Sequence, residues 1–224
     1  MATAPTQAQG RSPYSPRDRT ANALKSITYG SAAAPLLANR TVTFGTENKR
    51  TPVAHDLGVR VAQELLARRE ERMGQAAIAG LILLNGAMCP EAYRPRPIQR
   101  LLASPLGRWI GPRVPRASFV RAVRDLFGPH TPPSQDLLDD FWTLLEHGGG
   151  RRMTPAVGRF WLPRLAMRER PVGALLRSAV PLRVINGAAD PNSGRHMVQR
   201  LRELSPDVEV ISLNQIGHWP QIED

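Results

Sequence analysis

The sequence predicts an α/β fold built on a parallel sheet, with a helical insertion between two of its strands. Three observations carry this. From residue 52 onward, strand-like and helix-like segments alternate, the pattern of strands joined by helical crossovers. Ile78–Leu84 is a continuous apolar run of strand length, as in parallel strands covered on both faces. Three strand-like segments are each followed by a chemically capable residue, Asp56, Asp190 and His218. Those positions lie at the carboxyl ends of strands, where such sheets bind ligands.

Taken in order, residues 1–51 are atypical of the fold. Pro, Gly, Ser and Thr are frequent, apolar periodicity is weak, and the only acidic residues are Asp18 and Glu47. The segment reads as disorder or loop, apart from a short strand at Thr41–Phe44. Val53 and Ala54 end the next strand. Val59–Arg72 has helical spacing, with Val59, Val61, Ala62, Leu65 and Leu66 on one face and Arg68, Arg69, Glu70 and Glu71 outside. The Ile78–Leu84 strand stops at Asn85-Gly86. Residues 52–89 and 179–224 thus form a core, and residues 90–178 form a helical cap. Prolines at 90, 95, 97, 105, 112 and 115 break up the cap. Its clearest helix is Leu137–His147, preceded by Pro132-Pro133-Ser134 and closed by Gly148-Gly149-Gly150. A strand at Leu182–Asn186, a helix at Gly194–Leu204 and a strand at Val208–Leu213 complete the chain.

Composition narrows the function classes. The 224 residues are 42% hydrophobic, enough for a real core. The formal charge of +11 invites a nucleic-acid-binding reading. Against it, the positive charge is nearly all Arg, with only Lys25 and Lys49 as lysines, and it is scattered among acids without a base-stacking aromatic platform. The expected partner is therefore a small-molecule substrate, with no nucleic acid; oligomeric state is open. No apolar run reaches the roughly 18 residues of a membrane span. The first residues lack the apolar stretch of a secretion signal, so a cytoplasmic protein without membrane attachment is expected. Cys89 is the single cysteine and reads as a small core residue. The histidines His55, His130, His147 and His196 lack metal-ligand spacing, and neither metal nor other cofactor is expected.

Ala54-His55-Asp56-Leu57-Gly58 has the form small-x-nucleophile-x-Gly at a strand-to-helix junction. A nucleophile elbow requires that form, because its tight turn admits only small flanking side chains. Asp56 can attack an electrophilic carbon to give an ester, and the N–H of Leu57 at the helix start can serve an oxyanion. Taken alone, Asp56 reads more readily as a helix cap. Asp190, in Gly187-Ala188-Ala189-Asp190-Pro191, can orient a histidine through Nδ1–H, or can simply cap a turn. His218, after Gly217, can activate water, or can be an ordinary loop histidine. The order Asp, Asp, His, each after a strand, is the nucleophile–acid–base order of α/β-hydrolases.

At these residues the chain resembles a known family. HDLGVRVAQELLAR (55–68), LILLNGAMCPEAYRP (81–95), INGAADPNSG (185–194) and GHWPQIED (217–224) resemble the elbow helix, cap entry, acid loop and histidine loop of α/β-hydrolases with an aspartate nucleophile. The similarity is to the branch of mesoderm-specific transcript-type proteins, near the haloalkane dehalogenases and epoxide hydrolases. It implies hydrolysis of a small organic substrate through an aspartyl ester. The resemblance has departures. Leu57 stands where haloalkane dehalogenases place a halide-holding Trp. Tyr93 is the one tyrosine of the cap, where epoxide hydrolases use more, and Trp109, Trp142 and Trp161 are expected to pack. Residues 1–51 lack the His-Gly loop and the several strands that precede the elbow in the family, and the chain ends before the expected terminal helix. A truncated or frame-shifted reading frame is the expectation, which makes a catalytically inactive fragment the second reading.

Overall fold

The computed structural model describes residues 42–44, 50–71 and 78–224. Most of the atypical segment expected over residues 1–51 lies outside the described residues. The sheet has five described strands in the spatial order β1 (Val42–Phe44), β2 (Thr51–Ala54), β3 (Leu81–Leu83), β4 (Leu182–Gly187) and β5 (Glu209–Leu213). β1 pairs antiparallel with β2, and every later pair is parallel. Each strand from β2 to β5 is therefore laid beside its predecessor in chain order. The carboxyl ends of β2, β4 and β5 share one edge, because parallel neighbours all point the same way.

β3 is shorter than the apolar run predicts. Ile78 makes only an isolated parallel bridge to Arg50, and regular pairing starts where Leu81 N–H reaches the Pro181 carbonyl. The ladder ends where its neighbours end, so apolar character alone does not extend it. α1 (Leu57–Glu70) follows β2 and buries Val59, Ala62, Gln63, Leu66 and Ala67, a stripe at helical spacing. This differs from the expected stripe, since Val61 and Leu65 are half-buried and Gln63 is fully buried. Gln63 is admitted because its Nε2 donates to the Met88 carbonyl at 2.9 Å. The expected end of this helix at Arg72 lies outside the described residues.

Between β3 and β4 the chain forms short helices: α2 (Pro97–Ala103), α3 (Gly107–Ile110), α4 (Arg116–Arg124), α5 (Gln135–Glu146), α6 (Thr154–Gly158), α7 (Leu162–Ala166) and α8 (Glu169–Arg177). α5 starts two residues earlier than expected because the Ser134 hydroxyl accepts from Leu137 N–H and caps it. α8 packs on α1, and ion pairs line their shared outer edge, with Arg170 on Glu64 and Glu71 and Arg177 on Glu70. Part of the scattered positive charge is thus matched locally, at sites where exposed pairs contribute little each. α9 (Arg195–Leu204) and the final α10 (Pro220–Glu223) complete the chain. No helix among the described residues is long and apolar enough to cross a membrane.

Two apolar clusters result. The main one joins the sheet to α1, α8 and α9 through Leu83, Val59, Leu66, Val184, Ala174, Met197 and Leu201. Cys89 sits in it, fully buried. The second joins α4 and α5 to the chain end, with Val123, Phe127 and Leu138 packed against Trp219 and Ile222. Of the tryptophans expected to pack, Trp142 does so against Phe119, at 5.5 Å between ring centroids. Trp109 does not: it is 58% exposed, on the rim of an apolar groove with Ile98, Ile110 and Val114.

Candidate active site

β2 ends at Ala54, and the chain turns through Asp56 into α1. Asp56 has φ 50° and ψ −113°, and among the described residues it is the one non-glycine residue with positive φ. Such a conformation costs on the order of 1–3 kcal/mol and persists only where the surroundings enforce it. Here they do. Asp56 N–H donates to the Asn85 carbonyl at 2.8 Å, and its own carbonyl accepts from Val59 N–H. Gly86 lies directly opposite: a Cβ there would fall 2.8 Å from the Asp56 carbonyl and 2.6 Å from Val59 Cγ2. The carboxylate does not cap α1, since it makes no side-chain cap hydrogen bond. Leu57 is the first residue of α1, and its N–H is among those that a helix start leaves without an intrahelical acceptor.

Asp190 lies just beyond β4, 3% exposed. Its Oδ1 accepts from Asn192 N–H at 2.8 Å, which shapes the turn. Its Oδ2 accepts from Ser193 Oγ at 2.6 Å, Asn85 Nδ2 at 3.0 Å and His218 Nδ1 at 2.9 Å. The last contact fixes the proton on Nδ1 and leaves Nε2 for chemistry. Burial alone would raise the Asp190 pKa, but the His218 charge and these hydrogen bonds outweigh it and hold the carboxyl well below the usual range.

His218 follows β5 on a loop held from several sides. Its N–H donates to the Leu126 carbonyl at 2.8 Å, and its carbonyl accepts from His55 Nε2 at 2.7 Å. The Glu223 carboxylate gathers Gly217 N–H, Trp219 N–H, Gly128 N–H and the Thr131 hydroxyl, tying the loop to the segment between α4 and α5. Burial pushes the His218 pKa down. The charge and hydrogen bond of Asp190, then Asp56 and Glu223, more than reverse this, and it stands at about 9. His55 moves the other way, to about 4, through burial and the neighbouring His218 charge.

The structure therefore places Asp56, Asp190 and His218 at one sheet edge. Asp190 and His218 are in direct contact, and Asp56 lies within electrostatic reach of the imidazole. Sequence reasoning overlooked four residues here. Asn85, expected only to close a strand, bridges the elbow to the acid loop: its carbonyl accepts from Asp56 N–H, its Oδ1 accepts from Gly187 N–H, and its Nδ2 donates to the Gly187 carbonyl and Asp190. Its signal was a polar side chain closing an apolar strand between the two candidate loops. Ser193, His55 and Glu223 carry no pattern that one-dimensional reading detects. In chemical terms, a carboxylate on a strained backbone lies within electrostatic reach of an imidazole whose near nitrogen is fixed by a buried acid and whose far nitrogen has no hydrogen-bond partner among the described residues. That set can attack an electrophile and then deliver water.

Comparison with known proteins gives a consistent relationship. The sequence profile described as the alpha/beta hydrolase family matches residues 4–224. The mesoderm-specific transcript protein of Mus musculus is 34% identical over 189 residues, covering 81% of this chain and 56% of that protein. The chain thus spans just over half the length of this curated relative. An alpha/beta hydrolase fold protein from Burkholderia ambifaria superposes with a TM-score of 0.59 at 19% identity, over 77% of this chain and 61% of that one. A haloalkane dehalogenase from Agrobacterium tumefaciens superposes with a TM-score of 0.60 at 15% identity, over 76% and 61%.

Proposed function

The chain belongs to the alpha/beta hydrolase family, and from that membership we propose that it hydrolyses a small organic substrate through a covalent ester on Asp56. A carboxylate oxygen of Asp56 attacks the electrophilic carbon, and the bond to the leaving atom breaks with its electron pair. His218 Nε2 then takes a proton from water, whose oxygen adds to the ester carbonyl carbon. The oxyanion formed there accepts the Leu57 N–H. Collapse releases the alcohol, which takes up the proton held by His218; the water's second proton, left on the carboxyl, passes to solvent or to the leaving anion of the first step, and the Asp56 carboxylate is restored. Asp190 keeps the imidazole in the required tautomer throughout.

The observation that carries this reading is the positive-φ aspartate at the end of β2, in electrostatic reach of an imidazole bound to a buried acid. The raised pKa of His218 adds a timing argument. Asp56 is one of the charges that hold His218 protonated. Esterification removes that charge, which lowers the His218 pKa and leaves more of the imidazole neutral and able to accept a proton at the step that needs it.

A panel of haloalkanes, epoxides and esters identifies the reacting group. Single turnover in ¹⁸O-labelled water is then decisive. Hydrolysis at the ester carbonyl places one solvent oxygen on Asp56, which mass spectrometry of the peptide containing it detects. Label in the product alone overturns the mechanism.

A further inference from the structure

α7 is built inside out. Its leucines, Leu162 and Leu165, are 48% and 60% exposed, and the residue that it buries is Arg164, 7% exposed. A short helix that turns its leucines to solvent and a guanidinium inward has spent apolar burial to place a cation. No carboxylate among the described residues lies within ion-pair distance of Arg164, although Arg168 and Arg170 nearby each pair with glutamates. The Phe160 ring adjoins it, with the guanidinium carbon 4.4 Å from the centroid. A stacked face leaves the guanidinium edge, with its donors, open. Of the acidic groups acting on its charge, Asp56 acts most strongly.

A second donor adjoins it. Tyr93 packs edge-on to Phe160 at 5.9 Å between centroids. Its hydroxyl oxygen accepts from Gln99 Nε2 at 2.8 Å and Asn192 Nδ2 at 3.0 Å. Asn192 Nδ2 also reaches the Arg94 carbonyl and Gln99 Oε1, and the Tyr93 O–H proton has no acceptor among the described residues. Asp56 also acts on this hydroxyl, so Tyr93 and Arg164 both lie within electrostatic reach of the elbow. Arg60, at the start of α1, adds positive charge beside Arg164, and its Nη1 is buried with no hydrogen-bond partner.

We propose that Arg164 and Tyr93 form an anion subsite beside Asp56, which takes the carboxylate of an organic-acid substrate. The guanidinium edge receives the carboxylate in forked geometry and the phenol donates a third hydrogen bond. The acid group is anchored at the insert, and the reacting carbon is presented to Asp56. The position of that carbon rests on the aspartyl-ester reading; the anion subsite does not.

Glycidate and glycidamide test this, being epoxides of nearly equal size that differ in charge. The wild-type chain should favour glycidate by about tenfold or more in kcat/KM. Arg164→Gln should remove that preference by raising KM for glycidate alone, and Arg164→Lys should restore part of it. An equal fall in kcat on both substrates overturns the subsite and assigns the guanidinium to the reacting atoms. Binding is measured separately with the Asp56→Asn chain and unreactive propionate or propionamide at fixed ionic strength. Propionate should raise the unfolding temperature saturably and propionamide should not, and Arg164→Gln should abolish the effect. Should Arg164→Gln not fold, Tyr93→Phe serves in its place and should weaken propionate binding. If neither epoxide turns over while propionate still binds through Arg164, epoxide hydrolysis fails and the subsite stands. If propionate leaves a cooperatively folded chain unchanged, the subsite falls.

Discussion

The elbow around Asp56 and the loop around His218 reach the same sheet edge by different means. Asp56 is placed by its own neighbourhood: a strand end, a helix start and one tight approach at Gly86. His218 is placed from a distance. Its loop is held by Leu126, His55, Asp190 and the Glu223 staple to Gly128 and Thr131. The elbow stores strain in one residue, whereas the histidine loop spreads its restraint over many ordinary hydrogen bonds. Damage at the elbow should therefore be abrupt and chemical. Damage at the loop should be graded, and visible in stability as well as in rate.

The largest expected effect sharpens that contrast. Asp56→Ala should abolish turnover with little change in thermal stability, since the carboxylate makes no structural hydrogen bond in the helix cap. His218→Gln should slow turnover by roughly 10²–10⁴-fold and leave the ester on Asp56, visible as a mass increment on that peptide. Retained turnover in Asp56→Ala would end the elbow's special status.

Next in size is the packing of the histidine loop on the sheet. A Cβ at Gly187 would lie 1.8 Å from the Gly217 carbonyl. Gly187→Ala must push the loop away and should cost about 1–3 kcal/mol, lowering the unfolding temperature by several degrees. Asn85→Leu follows, because it strands the buried Gly187 N–H and strips one donor from Asp190. It should cost about 1–3 kcal/mol in denaturant unfolding and slow turnover, since the Asn85 backbone carbonyl holds the elbow while its side chain holds the strand end and acid that orient His218. An effect on stability without one on rate would show that the two loops are independent.

The pH dependence of stability is a finer test. The folded pKa of His218, about 9, lies above its ordinary 6.5. Its contribution is complete below pH 6.5 and is lost as pH rises through 9. Asp190 is held below its ordinary 3.8, so its contribution is present above that value and lost as pH falls through the lower folded pKa. The pair should thus stabilise most between pH 3.8 and 6.5. The stability difference between the wild-type chain and His218→Gln should shrink from pH 6.5 to 9 in denaturant titrations. The smallest expected effect is that of Glu223→Gln. It removes one of the charges that raise the His218 pKa and weakens the staple, at about 1 kcal/mol. A downward shift of the His218 titration by NMR would register it; no shift would mean the staple is purely mechanical.

The alternation of strand and helix, the elbow and the order Asp56, Asp190, His218 are written in the sequence, because each depends on residues close together in the chain. A small-x-Asp-x-Gly turn needs nothing from afar to be recognised, and a strand end names its own sheet edge. Burial at distant contacts was not legible. Gln63, absent from the expected apolar face, is buried because Met88 supplies a carbonyl, and Trp109, expected to pack, stays exposed because no surface covers it. Arg164 was one arginine among many, and only the packing of α7 turned it inward. The tertiary structure decided these because a hydrogen bond or an ion pair is a relation between two groups. When those groups are about a hundred residues apart, as Asn85 and Asp190 are, neither one carries a mark of the other in its own stretch of chain.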